Sequence, residues 1–151
     1  MFRGASTLTL VALASWLLTA MLGANLLLRG KAYRLFLYAM SGRSQPGVRP
    51  PVIRATLMGL HFACAGAGLV LWIGYAMYDR RVLAYGALIL LGVVALLGIS
   101  VVDRWRDGNG RHVRPVEPRR GFPVWSATLH VMIATTTLVL VALITLFNLG
   151  E

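Results

Sequence analysis

Four long apolar runs, each bounded by charge, proline or glycine, set the pattern of the chain. They cover about residues 7–28, 55–77, 82–102 and 123–147, and no charged side chain falls inside any of them. A hydrocarbon core needs about 20 helical residues to cross it, so each run predicts a membrane-spanning helix. Proline interrupts no run; Pro123 stands at the first turn of the last one, where its missing N–H costs nothing. After the weakly basic Met1-Phe2-Arg3, a cleaved signal peptide competes for the first run. That run is longer than a typical signal's apolar stretch and the strong charge follows it, so a retained span is expected.

The polar intervals give the expected orientation. Residues 29–54 carry Arg29, Lys31, Arg34, Arg43, Arg49 and Arg54 with no acid, and residues 103–122 carry six arginines against three acids. Basic loops stay on the cytoplasmic side, so both intervals are expected there, with both termini outside and an inner (plasma) membrane as the location. Residues 32–40 are apolar and aromatic enough to prolong the first helix or lie in the headgroups. Residues 41–51 hold Pro46, Pro50, Pro51 and two glycines and are expected to be irregular. Between the second and third runs, Asp79-Arg80-Arg81 is a tight outer turn that sends the next helix back beside its predecessor. Trp72, Tyr75 and Tyr78 suit an outer-interface aromatic belt, and Trp125 an inner one. The expected fold is all-α: a single integral membrane domain over residues 1–151, built as an up-down-up-down four-helix bundle.

Composition sharpens this. The 151 residues are 58% apolar and 13% charged, which is not a soluble domain's balance. The net charge of +10 lies in blocks between apolar runs, as membrane orientation demands, and forms no continuous basic face for nucleic acid. Cys64 is the only cysteine, so no disulfide forms within the chain.

Two of the runs contain a matched histidine. Aligned on it, Leu60, His61, Ala65, Leu69, Val70 and Leu71 correspond to Leu129, His130, Ala134, Leu138, Val139 and Leu140. The first and third runs match as well, through Ala20, Leu22, Gly23 and Arg29 against Ala95, Leu97, Gly98 and Arg104. Two tandem two-helix units would produce this pattern; so would chance alignment of low-complexity apolar segments.

His61 lies seven residues inside Arg54, His130 seven inside Pro123, Gly23 six before Arg29 and Gly98 six before Arg104. At about 1.5 Å per residue, the four share one layer roughly 9 to 11 Å from the cytoplasmic flank. Around His61 the same-face neighbours are Leu57, Met58, Cys64, Ala65 and Gly68; around His130 they are Ser126, Ala127, Ile133, Ala134 and Thr137. These are mostly small residues, so both faces are expected to point into the bundle. An ionisable residue inside a membrane is a functional candidate by default.

The alternation of histidine and glycine resembles the four-helix core of b-type membrane cytochromes. There, histidines on the second and fourth helices ligate haem and glycines on the first and third make space for it. The resemblance implies one haem b with His61 and His130 as axial ligands, Gly23 and Gly98 as clearance, and Arg29, Arg54 and Arg104 toward the propionates. Two-haem members have a second histidine about four turns further on, where this chain has Tyr75 and Ile144, so one haem at most is implied.

Other readings compete. Histidines and small residues in spans also serve helix packing. Met58, His61 and Cys64, with Met132, form a soft donor set suited to copper(I). The function expected from the sequence is electron transfer within the membrane, as a subunit or partner of a larger redox complex and not as a stand-alone enzyme. The expected partners are lipid and either quinone or other membrane redox subunits, with a homo-oligomer open. The alternative is an accessory subunit without a cofactor. Transport is disfavoured because no acid lies in a span and none is broken. Catalysis without a cofactor is disfavoured because no nucleophile, base and orienting group share a layer. His112, in a polar glycine-rich stretch, reads as solvated.

Overall fold

The structure, a computed structural model, describes the backbone of residues 6–29, 52–110 and 124–147 and the side chains of 6–28, 56–102 and 125–147. It is all-helical there. Four helices form: α1 (Thr7–Arg29), α2 (Val52–Tyr78), α3 (Arg81–Gly110) and α4 (Val124–Phe147). Each contains a stretch long and apolar enough to cross a membrane. Residues 30–51 and 111–123, and with them the expected amphipathic segment 32–40, the irregular segment 41–51 and His112, lie outside the described residues.

Local chemistry fixes the described ends. Ser6 caps α1, its Oγ accepting from the Thr9 N–H at 3.2 Å, which satisfies one of the free donors at the helix start. α2 ends where Asp79 takes φ 52°, a left-handed conformation that aspartate tolerates better than most residues. The Asp79 N–H donates to the Tyr75 carbonyl at 2.8 Å, and α3 begins two residues later.

α3 departs from expectation. Helix continues through residues 103–110, which the sequence pattern assigned to a loop. The charged residues there mark the end of the membrane, yet no proline stops the helix and Asp103 and Arg106 stand at a spacing that favours it.

Packing is unequal around the ring. α2 packs closely on α3 and α1 on α4, whereas α1–α2 and α3–α4 touch less; among the described residues α1 and α3 make no contact, nor do α2 and α4. The α2–α3 contacts pair position 74 with Leu83, 86 with Leu71, 68 with Leu90 and 98 with His61, advancing along one helix while retreating along the other. Glycines at 74, 86 and 68 let these two backbones come close.

The buried core occupies one half of the bundle. Trp16, Trp72, Tyr75, Leu91, Val141 and Ile144 form it with small residues such as Ala12, Ala84 and Ala87. Trp72 is 0% exposed and Tyr75 7%, so these two are core residues, not members of an interface belt. They share the face of α2 that carries His61 and Gly68, which turns inward; Tyr78, on another face, is exposed.

Candidate functional site

Toward the other half the burial stops at a common level. The last buried positions are Trp16 on α1, Gly68 on α2, Leu91 on α3 and Thr137 on α4. Seven residues further along the respective helices stand Gly23, His61, Gly98 and His130. Two turns, about 10 Å, thus separate the edge of the core from a layer containing two histidines and two glycines. Among the described residues of that half, none is buried.

The histidines are paired with the glycines across the two close interfaces. A Cβ built on Gly23 would lie 3.1 Å from His130 Cε1, and one built on Gly98 would lie 3.5 Å from His61 Cε1. Glycine therefore seats an imidazole on each neighbouring backbone, a use of its missing side chain that the sequence resemblance assigned to the porphyrin. The sequence put all four residues in one layer; which glycine meets which histidine comes from the packing, α4 on α1 and α2 on α3.

This seating has a chemical consequence for His130. Its Nδ1 lies 3.1 Å from the Thr19 carbonyl, one turn before Gly23. A carbonyl only accepts, so Nδ1 carries the proton and the Nε2 lone pair is left available to a metal. His61 has the corresponding placement with a looser contact. The Val94 carbonyl, one turn before Gly98, lies toward its ring, but no hydrogen bond forms and Nδ1 is buried without a partner. Phe62 packs edge-on to the His61 ring at 5.9 Å.

Their surroundings match the expected inward faces. Leu57, Met58, Cys64 and Ala65 on α2, and Ser126, Ala127, Ile133 and Ala134 on α4, are half-buried, while Gly68 and Thr137 are buried. Met132 is 63% exposed, on a different side of α4 from this face, so it does not complete a donor set with Met58 and Cys64. Among the described residues no three or more His, Cys, Asp or Glu gather as a metal cluster. The side chains of Arg29, Arg54 and Arg104 lie outside the described residues.

The sequence reading did not single out a hydroxyl cluster behind His130. Ser15 Oγ and Thr137 Oγ1 are 2.6 Å apart, Thr19 Oγ1 lies 3.3 Å from Thr137 Oγ1, and Thr19 Oγ1 donates to the Ser15 carbonyl at 2.9 Å. Thr135, Thr136 and Thr137 each donate to the carbonyl four residues earlier, the back-bonding expected of hydroxyls within a helix. The available signal was Ser15 and Thr19, two hydroxyls at helical spacing in the middle of the span. Trp16 is buried against Gly68, where a Cβ would lie 3.0 Å from its ring; it packs at the floor of the histidine layer.

No known protein family, curated protein or solved structure matches the chain.

Proposed function

We propose that the chain is a membrane-integral b-type haem protein that passes electrons within the bilayer, in which His61 and His130 would hold one haem b. The observation that carries this is the pair of seated histidines. They come from the two helices that do not touch, at one level, each resting on a glycine of its close partner. Below the core, the α2–α3 pair and the α1–α4 pair thus present one imidazole each from two walls. Donor chemistry agrees: a haem iron takes at most two protein ligands, whereas a protein-only tetrahedral centre needs three or four.

The α1–α2, α2–α3 and α1–α4 contacts each run in opposite chain directions, which supports an up-down-up-down bundle. The 61/98 and 130/23 pairings, related by the sequence repeat, support two tandem units. The charge pattern supports cytoplasmic basic loops, external termini and an inner-membrane location. Arg29, Arg54 and Arg104 stand on the cytoplasmic flank of the histidine layer in sequence, where propionates would emerge. When bound, haem supplies one-electron chemistry. The chain's part is to present two imidazoles, that of His130 with its Nε2 lone pair free, and to keep the site within the membrane. A site near one face implies a redox partner there, either a quinone or another membrane subunit.

The test is a reduced-minus-oxidised visible spectrum of protein purified in mild detergent after expression with haem available. Sharp alpha and Soret bands of a low-spin b haem are expected, with the low-spin form lost in both His61→Ala and His130→Ala. A colourless protein that remains folded, with equally folded variants, would sink the haem assignment and leave an accessory-subunit role.

A further inference from the structure

The two walls of the histidine layer are chemically unequal. The two-unit alignment equates Thr19 with Val94, Ser15 with Leu90 and Thr137 with Gly68. Behind His130, therefore, stand three hydroxyls bonded to one another and to the α1 backbone. Behind His61 the same positions are apolar or empty.

The ligands inherit this difference. His130 donates Nδ1–H to Thr19, which fixes the ring's tautomer and rotation and makes Nε2 a stronger donor. It also sits tightly, at 3.1 Å from the Gly23 Cβ position, against 3.5 Å for His61 at Gly98. The Val94 carbonyl lies toward the His61 ring, but Nδ1 forms no hydrogen bond, so that ring lacks the tie that fixes His130. Phe62 packs edge-on to the His61 ring, and at the positions matching Ser15 and Thr19 stand the apolar Leu90 and Val94.

Building on the haem assignment, we infer that His130 is the fixed anchor and His61 the exchangeable ligand, so that the His61 side is a binding site for a small neutral diatomic gas. The step is ligand substitution. The bond from iron to His61 Nε2 breaks, the imidazole leaves neutral with its electron pair, and the gas donates a pair in its place. No oxidant or reductant is consumed. The apolar residues that stand in place of the hydroxyls behind His130 suit a gas that needs no hydrogen-bond donor.

Carbon monoxide is the probe, added to the dithionite-reduced full-length protein in detergent and followed in the Soret region. The wild-type spectrum is expected to convert to that of a carbonyl adduct. His61→Ala should keep several times more haem than His130→Ala and bind the gas at least about tenfold more tightly. His130→Ala should lose about tenfold or more in haem content, the range typical of disturbed ligation. Added imidazole should restore a low-spin spectrum in His61→Ala but not haem retention in His130→Ala. A wild-type low-spin spectrum that ignores carbon monoxide would overturn the inference, as would equal haem loss in the two variants, while leaving the haem assignment standing. Absence of a Soret band from the folded wild-type protein would remove both.

Discussion

Gly68 is where the fold beneath the histidine layer is most exposed to a small change. A methyl group there would lie 3.0 and 3.1 Å from two ring carbons of Trp16 and 3.3 Å from Leu90 Cβ. Neither neighbour yields easily: the Trp16 ring is buried and Leu90 Cβ is tied to the α3 backbone. Alanine must therefore push α2 away from α1 or α3, and such overpacking costs about 1–3 kcal/mol. Replacing glycine within a helix returns about 0.5–1 kcal/mol in either variant, so Gly68→Ala should fall below Gly66→Ala by about 1–3 kcal/mol, a factor of roughly five or more in the folding equilibrium. Gly66, two residues earlier, has no neighbour within 4 Å. Gly66→Ala is thus expected to be neutral or slightly stabilising. Unfolding both variants by titrating a mild detergent with SDS, read by helical circular dichroism, measures the difference directly. If Gly68→Ala proves as stable as Gly66→Ala, Trp16 does not seat on α2 and the described floor of the site is wrong.

Gly23→Ala should crowd His130 and lower haem content severalfold, whereas Gly98→Ala, at ordinary contact distance from His61, should stay near wild type; pyridine haemochrome assay of the purified variants distinguishes them, and equal losses would count against unequal seating. Thr137→Val removes the hydroxyl bonded to Ser15 and should cost about 0.6 kcal/mol, and at most about 1.7, in the same SDS titration; combining it with Ser15→Ala should add little, because both act on one bond. In a Cys64→Ala background, cysteines introduced at Ser41 and Asn109 should react with a membrane-impermeant maleimide only from the cytoplasmic side of oriented vesicles, and labelling from the outside would reverse the proposed topology.

The helices were legible in the sequence because the bilayer imposes a simple rule: about twenty residues without charge, with the charge outside. The same rule hid the length of α3, since Asp103 and Arg104 mark the end of apolar solvent and say nothing of hydrogen bonding along the backbone. Trp72 and Tyr75 misled for a related reason. Aromatic residues near a span's end suit either a headgroup belt or a core, and only the helical face decides. Extending the face of His61 through Gly68 by two more turns reaches both residues, so the information was present. The His–Gly layer was readable from depth alone, but its pairing was not, because depth is blind to which helices touch. The bond from His130 to Thr19 was less accessible still. Its acceptor is a backbone carbonyl, which every residue possesses, and only packing selects one.

The division of the bundle into a filled half and an unfilled half bears on why the second half stays apart. Lipid tails are as apolar as leucine, so membrane helices gain little from hiding apolar surface and associate through close packing and internal polar contacts. The core half meets that requirement with Trp16, Trp72, Tyr75 and Val141, interlocked through glycines and alanines. In the histidine half the inward faces are mostly small, and the close pairs meet there through an imidazole resting on glycine. Simple packing would be better served by a leucine at 61 or 130, with more contact area and no polar nitrogen to satisfy. Two histidines at one level, one with its Nδ1 proton already assigned and the other with a buried unpartnered nitrogen, form a poor packing device and a good pair of ligands. What such a layer gains from a planar group held between its walls is contact on both sides of it, which is why the haem assignment explains the small residues and the histidines together.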